Sequence, residues 1–150
     1  MENRNVLITG AARGIGAACA EELAKIGARI LLVDIDGEVA AAKAFDFQKK
    51  GLAVEAKSAD VTSEEEIQSL ISYINTQWDG QLDVLVNNAA ILDATPLDKL
   101  SRDRFTQVQN INQNSVLWMT LAMRPFLKRS KAARVVNVAS ILGVLGTPDS

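Results

Sequence analysis

An apolar strand that runs into a glycine-rich turn and then into a helix constrains this chain more than any other feature. Val6-Leu7-Ile8-Thr9 leads directly into Gly10-Ala11-Ala12-Arg13-Gly14-Ile15-Gly16. Glycines in such a turn have no Cβ, so backbone N–H groups can approach an anion such as a pyrophosphate closely. The helix that follows points the positive end of its dipole at the same place. An acid, Asp34, closes the next apolar run, and that context strengthens the reading of the glycine turn as a dinucleotide site.

The same alternation continues along the chain. Residues 5–9 read as a short strand, and 14–26 as a helix with Ile15, Cys19, Leu23 and Ile26 on one apolar face and Gly27 as its C-terminal cap. Residues 29–33 form a near-continuous apolar run, the pattern of a strand buried on both faces in a parallel sheet. A helix over 38–50, a weaker strand over 53–58 and another buried strand over 82–86 follow. Between the last two, Ser63 and Glu66 have capping-box spacing ahead of the stripe Ile67, Leu70, Ile71 and Ile74. Ser101 caps one long helix running to about Lys128, and 134–138 is a fifth strand followed by a glycine-bearing loop. The βαβαβαβαβ order predicts an α/β fold. It is a Rossmann-like doubly wound parallel sheet in three layers, a single domain over 1–150, incomplete at its C-terminal side.

Composition removes several function classes. The 150 residues contain no histidine, which excludes Ser-His-Asp triads, Cys-His pairs and histidine metal sites together. The one cysteine, Cys19, allows no internal disulfide and fits a reducing, cytoplasmic setting. Net charge is −2 with no basic patch, so no nucleic-acid partner is expected. Lys128, Arg129, Lys131 and Arg134 read as a solvated helix end. The polar N-terminus is not a signal peptide, and no apolar run is long enough to span a bilayer, so no membrane partner is expected.

Ligands of an open α/β sheet bind outside the carboxyl ends of the strands. The residues there are Thr9-Gly10, Asp34, Ala59-Asp60-Val61, Asn87-Asn88-Ala89-Ala90 and Ala139-Ser140, small or polar where the strands are apolar. A carboxylate at 34 can accept hydrogen bonds from both ribose hydroxyls and repels a 2′-phosphate, which favours NAD over NADP. Arg13 could meet a 2′-phosphate, a pyrophosphate oxygen or only solvent, and Ile35 rather than a basic residue follows Asp34. Asn87 suits bracing of neighbouring strand ends, and Asn88 suits contact with the coenzyme. Asn112, mid-helix, can interrupt the helical hydrogen-bond ladder and hold a water, whereas Asn110 and Asn114 read as exposed helix residues.

In combination these motifs resemble the classical short-chain dehydrogenase/reductase family over essentially the whole chain. Thr9 to Gly16 resembles its TGxxxGIG cofactor turn, and Asp60-Val61 its adenine-side pair. Asn87 to Ala90 resembles its NNAG motif with Ala90 in place of glycine. Pro96-Leu97 and Ile111-Asn112 stand in the family's order, and Val136 to Ser140 resembles the strand that ends in its catalytic serine. The resemblance implies reversible hydride transfer between NAD(P) and an alcohol or ketone. Ser140 would polarise the substrate oxygen, and Asn112 would anchor a water in a proton relay. Thr9, Gly10, Arg13, Gly14, Ile15, Gly16, Asp34, Asp60, Val61, Asn88, Ala89 and Ala90 would line the coenzyme site. It also implies a homo-oligomer, dimer or tetramer, through the helix carrying Leu117 and Leu121. Leu92, Asp93 and residues 141–145 are expected near the substrate, which they do not name.

The family's acid/base pair is a Tyr with a Lys one helical turn later, downstream of the serine. Tyr73, the sole tyrosine, is followed four residues on by Gln77 and belongs to an earlier helix. The expectation is therefore a truncated form, inactive by itself. Two other classes compete: a non-catalytic dinucleotide sensor, for which Ser140 and Asn112 would be superfluous, and a methyltransferase, which leaves Asn87 to Ala90 unexplained.

Overall fold

The computed structural model describes residues 1–145, so the tail of the expected final loop lies outside the described residues. Its sheet has five strands: β1 (Asn5–Thr9), β2 (Arg29–Asp34), β3 (Val54–Ser58), β4 (Val84–Asn87) and β5 (Arg134–Asn137). They are ordered β3-β2-β1-β4-β5, and every neighbouring pair is parallel. The chain starts in the middle, moves outward through β2 and β3, then crosses to β4 on the other side of β1. The order thus reverses at β1, the place in an open α/β sheet outside whose carboxyl ends ligands bind.

Apolar continuity in the strands follows from burial on both faces. Successive side chains point to opposite sides of a strand. Leu7, Leu31 and Leu85 accordingly enter one core with Ile67, Leu70, Ile74, Met119 and Met123. Val6, Ile8, Ile30 and Leu32 enter the other, with Ala20, Ala24, Ala44 and Phe47. Those two layers bring in α3 (Glu64–Gln77) and α5 (Ser115–Leu127) on one side, and α1 (Gly14–Lys25) and α2 (Gly37–Gln48) on the other. Truncating any of these fully buried leucines to alanine costs about 2–5 kcal/mol. β5 is an edge, and Val135, Val136 and Val138 are exposed on it, the pairing hazard that an open apolar edge carries.

Two expectations are refined. Only half of the Ile15–Cys19–Leu23–Ile26 stripe of α1 packs inward: Cys19 and Leu23 lie half-buried against the core, while Ile15 and Ile26 are exposed at 63% and 54%. The fully buried residues are the small Gly16, Ala17, Ala20 and Ala24, which let the helix lie close to the sheet. Second, the long helix expected from Ser101 to about Lys128 is present, with a π turn inside it: α4 (Arg102–Gln109) passes into a π turn over Asn110–Asn114 and on into α5 without leaving helical backbone. Asn112 stands in that π turn, and its side chain binds the backbone of Ile91 in the loop after β4.

The capping chemistry is otherwise as the sequence implies. Asp36, Ser63 and Ser101 accept from the backbone N–H three residues on, at the starts of α2, α3 and α4. The box at Ser63 is only half closed, because Glu66 accepts from the N–H of Asp60 at 2.8 Å. At the opposite end of the sheet Asp83 accepts from Arg4, from the Asn5 N–H and from the Ser130 hydroxyl. Burial raises the Asp83 pKa, and those hydrogen bonds outweigh it and hold the carboxyl below its ordinary value.

Candidate functional site

The three glycines of the first turn do different work, and each role can be read from the space around it. Gly10 has φ +61°, and a Cβ there would sit 2.7 Å from the Ala89 Cα, so the turn closes against the loop after β4. Gly16 has an ordinary φ, but a Cβ would sit 2.5 Å from the Gly10 carbonyl oxygen, so glycine is required for close helix packing. Gly14 has φ +58° and nothing within 4 Å of its Cβ position. That open side, at the first residue of α1, is where an anion can reach the backbone.

The start of α1 differs from the starts of α2, α3 and α4. Arg13, at its cap position, supplies no side-chain hydrogen bond, and no acid stands in the first turn. The amides of the first turn are therefore left for an external acceptor, and the dipole favours a negative one. The residues present fit a diphosphate here.

The turn is held by β4. Thr9 is 2% exposed. Its hydroxyl accepts from the N–H groups of Asn88 and Ala89 at 3.0 and 3.1 Å and donates to the Val86 carbonyl at 3.4 Å. The Asn88 Nδ2 donates to the Thr9 and Gly10 carbonyls, both at 2.9 Å. Thr9 turns its side chain into the protein rather than toward a coenzyme, and Asn88 spends its amide donor on the turn while lining the cleft beside it. Asn87 behaves as expected of a brace, donating to the Asn137 side chain at 2.9 Å across to β5.

Beside the turn is a cleft of about 530 Å³. Gly10 and Arg13 line it from the glycine turn, and Asp34, Ile35 and Asp36 from the end of β2. Ala59, Asp60 and Val61 line it from the end of β3, Asn88 to Ile91 from the end of β4, and Gln107 and Ile111 from the helical side. The structure thus gathers Gly10, Arg13, Asp34, Asp60, Val61, Asn88, Ala89 and Ala90 in one place. Gly14 and Ile15 stand on the exposed start of α1, and Gly16 lies behind the turn. Ile35, Asp36, Ile91, Gln107 and Ile111 also line the cleft, beyond the residues that the sequence motifs place at the site. Ile35 is legible as the neighbour of Asp34, while Gln107 leaves no signal beyond lying one turn before Ile111.

Charge in the cleft is arranged around Asp34. Its carboxylate accepts from the Ala12 N–H at 2.9 Å and from the Asp36 N–H at 3.0 Å, which fixes it between the glycine turn and the next loop. Asp36 in turn holds the Arg13 guanidinium. Asp60 uses one oxygen on the N–H and hydroxyl of Thr62 at 2.8 and 2.7 Å.

Ser140 follows β5, whose next residue Val138 donates to the Asn87 carbonyl. It is exposed, and its hydroxyl accepts from the Leu142 N–H at 3.2 Å. Asn112 grips the loop after β4 with both ends of its amide: Oδ1 accepts from the Ile91 N–H and Nδ2 donates to the Ile91 carbonyl, each at 2.8 Å. Asp93, expected near the substrate, binds Arg104 and the Thr95 N–H. Tyr73 donates to Glu55. Burial, together with that carboxylate, raises its phenol pKa well above the ordinary value, so it is poorly suited to proton transfer near neutrality. No helix among the described residues is long and apolar enough to cross a membrane.

The chain is similar to known proteins along nearly its whole length. A family model described as short chain dehydrogenase matches residues 4–150. A tropinone reductase homolog of Arabidopsis thaliana, At2g29300, is 35% identical over 99% of this chain and 57% of its own length. A sorbitol dehydrogenase of Cereibacter sphaeroides is 35% identical over 97% of this chain and 56% of its own. A diacetyl reductase [(S)-acetoin forming] of Staphylococcus epidermidis is 34% identical over 97% and 58%. The crystal structure of gox2181 superimposes with a TM-score of 0.92 at 26% identity, covering 99% of this chain and 58% of that one. The chain spans a little over half the length of these relatives. With a family model over residues 4–150 and relatives about one-third identical over nearly all of its length, the chain belongs to the short chain dehydrogenase family.

Proposed function

We propose that this chain forms the coenzyme-binding part of an oxidoreductase that moves a hydride between NAD and an alcohol or ketone. One observation carries the reading: the uncapped start of α1, with open space at Gly14, lies beside a cleft whose rim is the fixed carboxylate of Asp34. The amides of residues 14–16 would hold the pyrophosphate. Asp34 would accept from the ribose hydroxyls with the lone pairs that Ala12 and Asp36 leave free. The coenzyme, when bound, supplies the nicotinamide that carries the hydride.

NAD is favoured over NADP on charge. A 2′-phosphate beside Asp34 would face a carboxylate at close range, and Arg13, the nearby cation, is already paired with Asp36. Ser140 would donate its hydroxyl proton to the substrate oxygen, since its present bond uses only a lone pair. Asn112 would hold the relay water with the N–H and lone pair that Ile91 leaves free. The names of the relatives, a sorbitol dehydrogenase and a diacetyl reductase among them, support small alcohols and ketones as substrates. The exposed Leu117, Trp118 and Leu121 of α5 support self-association as a dimer or tetramer, and a single cysteine suits a cytoplasmic setting. Tyr73 is unsuited as the proton donor, so these 150 residues by themselves are expected to bind coenzyme and show negligible turnover.

Titration with NADH and NADPH tests the coenzyme. NADH should bind at least about tenfold more tightly, a difference of about 1.4 kcal/mol, and Asp34→Ser should erase most of the gap. Equal binding of the two coenzymes by the unaltered chain would refute the assignment of Asp34.

A further inference from the structure

A second polar residue faces the cleft with its orientation already chosen. Arg104, Gln107 and Ile111 lie at i, i+3 and i+7 from α4 into the π turn, and so share one side of the helix. Gln107 and Ile111 line the cleft. The Arg104 Nη1 donates to the Gln107 Oε1 at 2.8 Å. A guanidinium has donors only, so the oxygen of the amide must face it. The Gln107 Nε2 is then left as the group available to the cleft, a donor and never an acceptor.

Arg104 is itself held. Its Nε donates to the Asp93 Oδ2 at 2.6 Å, and Asp93 is fixed by the Thr95 N–H at 2.8 Å. The Asp93 side chain is only 11% exposed. The bonds from Thr95 and then Arg104 lower its carboxyl pKa to about 2, so the anchor stays charged throughout the physiological range. The order Asp93, Arg104, Gln107 runs from the loop after β4, through α4, to the wall of the cleft.

The cleft is the adenosine end of the site. It contains Asp34, which would grip the ribose, and it contains neither Ser140 nor Asn112. We propose that Gln107 is a binding residue for the coenzyme's purine, donating from Nε2 to a ring-nitrogen acceptor, and that Asp93 and Arg104 are positioning residues that set the amide for that task. The proposal rests on the nicotinamide dinucleotide reading above. A purine offers several acceptor nitrogens, and a donor with one fixed orientation discriminates against bases that present N–H at the same edge.

The test measures binding of NADH, ADP-ribose and reduced nicotinamide mononucleotide to the chain and to Gln107→Glu, Gln107→Met and Arg104→Met. Gln107→Glu keeps an acceptor for Arg104 and removes the donor, and Gln107→Met removes it without adding charge. Each Gln107 variant should weaken NADH and ADP-ribose about tenfold, the effect of one lost hydrogen bond, and leave the mononucleotide unchanged. Arg104→Met should weaken the same two ligands by roughly threefold, because the freed amide can turn its oxygen toward the base. Unchanged NADH affinity in both Gln107 variants, or equal loss with the mononucleotide, would overturn the assignment while leaving the coenzyme reading intact. Failure of the unaltered chain to bind NADH or ADP-ribose would overturn both.

Discussion

Gly14 and Gly16 are two residues apart and should fail in different ways. At Gly16 a Cβ would meet the Gly10 carbonyl oxygen at 2.5 Å, the Asn88 Nδ2 at 2.7 Å and the Ala11 Cα at 2.9 Å. Two of those are backbone atoms of a turn that Thr9 and Asn88 hold from behind, so the helix must move away from β1. Overpacking of this sort costs about 3 kcal/mol. For a chain of this length that lowers Tm by about 6–12 °C. At Gly14 the space is open, and only the left-handed φ of +58° opposes an alanine. That costs about 1–2 kcal/mol, or roughly 2–8 °C. The two differ more sharply once NADH is added. At a hundredfold excess over Kd a ligand stabilises by about 2.7 kcal/mol, so the unaltered chain should gain roughly 5–11 °C. Gly14→Ala places a methyl group where the pyrophosphate must come closest and should lose that gain almost entirely. Gly16→Ala should melt lower but keep part of the gain at temperatures where it is folded. Thermal unfolding by circular dichroism, with and without NADH, reads both effects. A Gly14→Ala protein that keeps the full NADH shift would refute the division of roles, as would a Gly16→Ala protein that melts like the unaltered chain.

Two further outcomes are expected. Thr9→Val fills the same space but withdraws the oxygen that receives the Asn88 and Ala89 N–H groups; denaturant unfolding should show a loss of about 1–3 kcal/mol, and a loss near zero would mean that these amides find other partners. Asp93→Asn should destabilise the chain at neutral pH, and the sign of its pH dependence follows from the lowered carboxyl pKa. A depressed acid stabilises the folded state fully above its ordinary value near 3.8 and loses that contribution as pH falls toward about 2. The stability difference between Asp93→Asn and the unaltered chain should therefore be flat above pH ~5 and shrink below pH ~4; a difference that stays constant down to pH ~2 would contradict the Asp93–Arg104 pair.

Much of the architecture was legible in residue order. Unbroken burial of the runs 6–9, 30–33 and 84–86, on both faces of each strand, leaves a parallel sheet covered on two sides as the fold that can accommodate them. The caps at Ser63 and Ser101 could be read from side-chain chemistry alone, because a helix start is a local event. Asp34 could be placed at a strand end because it interrupts an apolar run. These features depend on neighbours a few residues away.

What tertiary structure decided depends on groups distant in the chain. The fully buried line of α1 is glycine and alanine, with only Cys19 and Leu23 of the larger stripe packed beside it, and Asn88, far along the sequence, helps leave no room for a side chain at Gly16. The long helix carries a π turn at Asn110–Asn114, and the Ile91 N–H and C=O that its Asn112 binds lie twenty-one residues away in the chain. Thr9 faces inward because Asn88 and Ala89 need an acceptor there. Gln107 lines the cleft while its amide oxygen is taken by Arg104, which Asp93 holds across eleven residues. Short-range pattern determined which segments are strands and helices. The use of each polar side chain was settled by partners that only folding brings within reach, since a hydrogen bond is decided by distance in space and not along the chain.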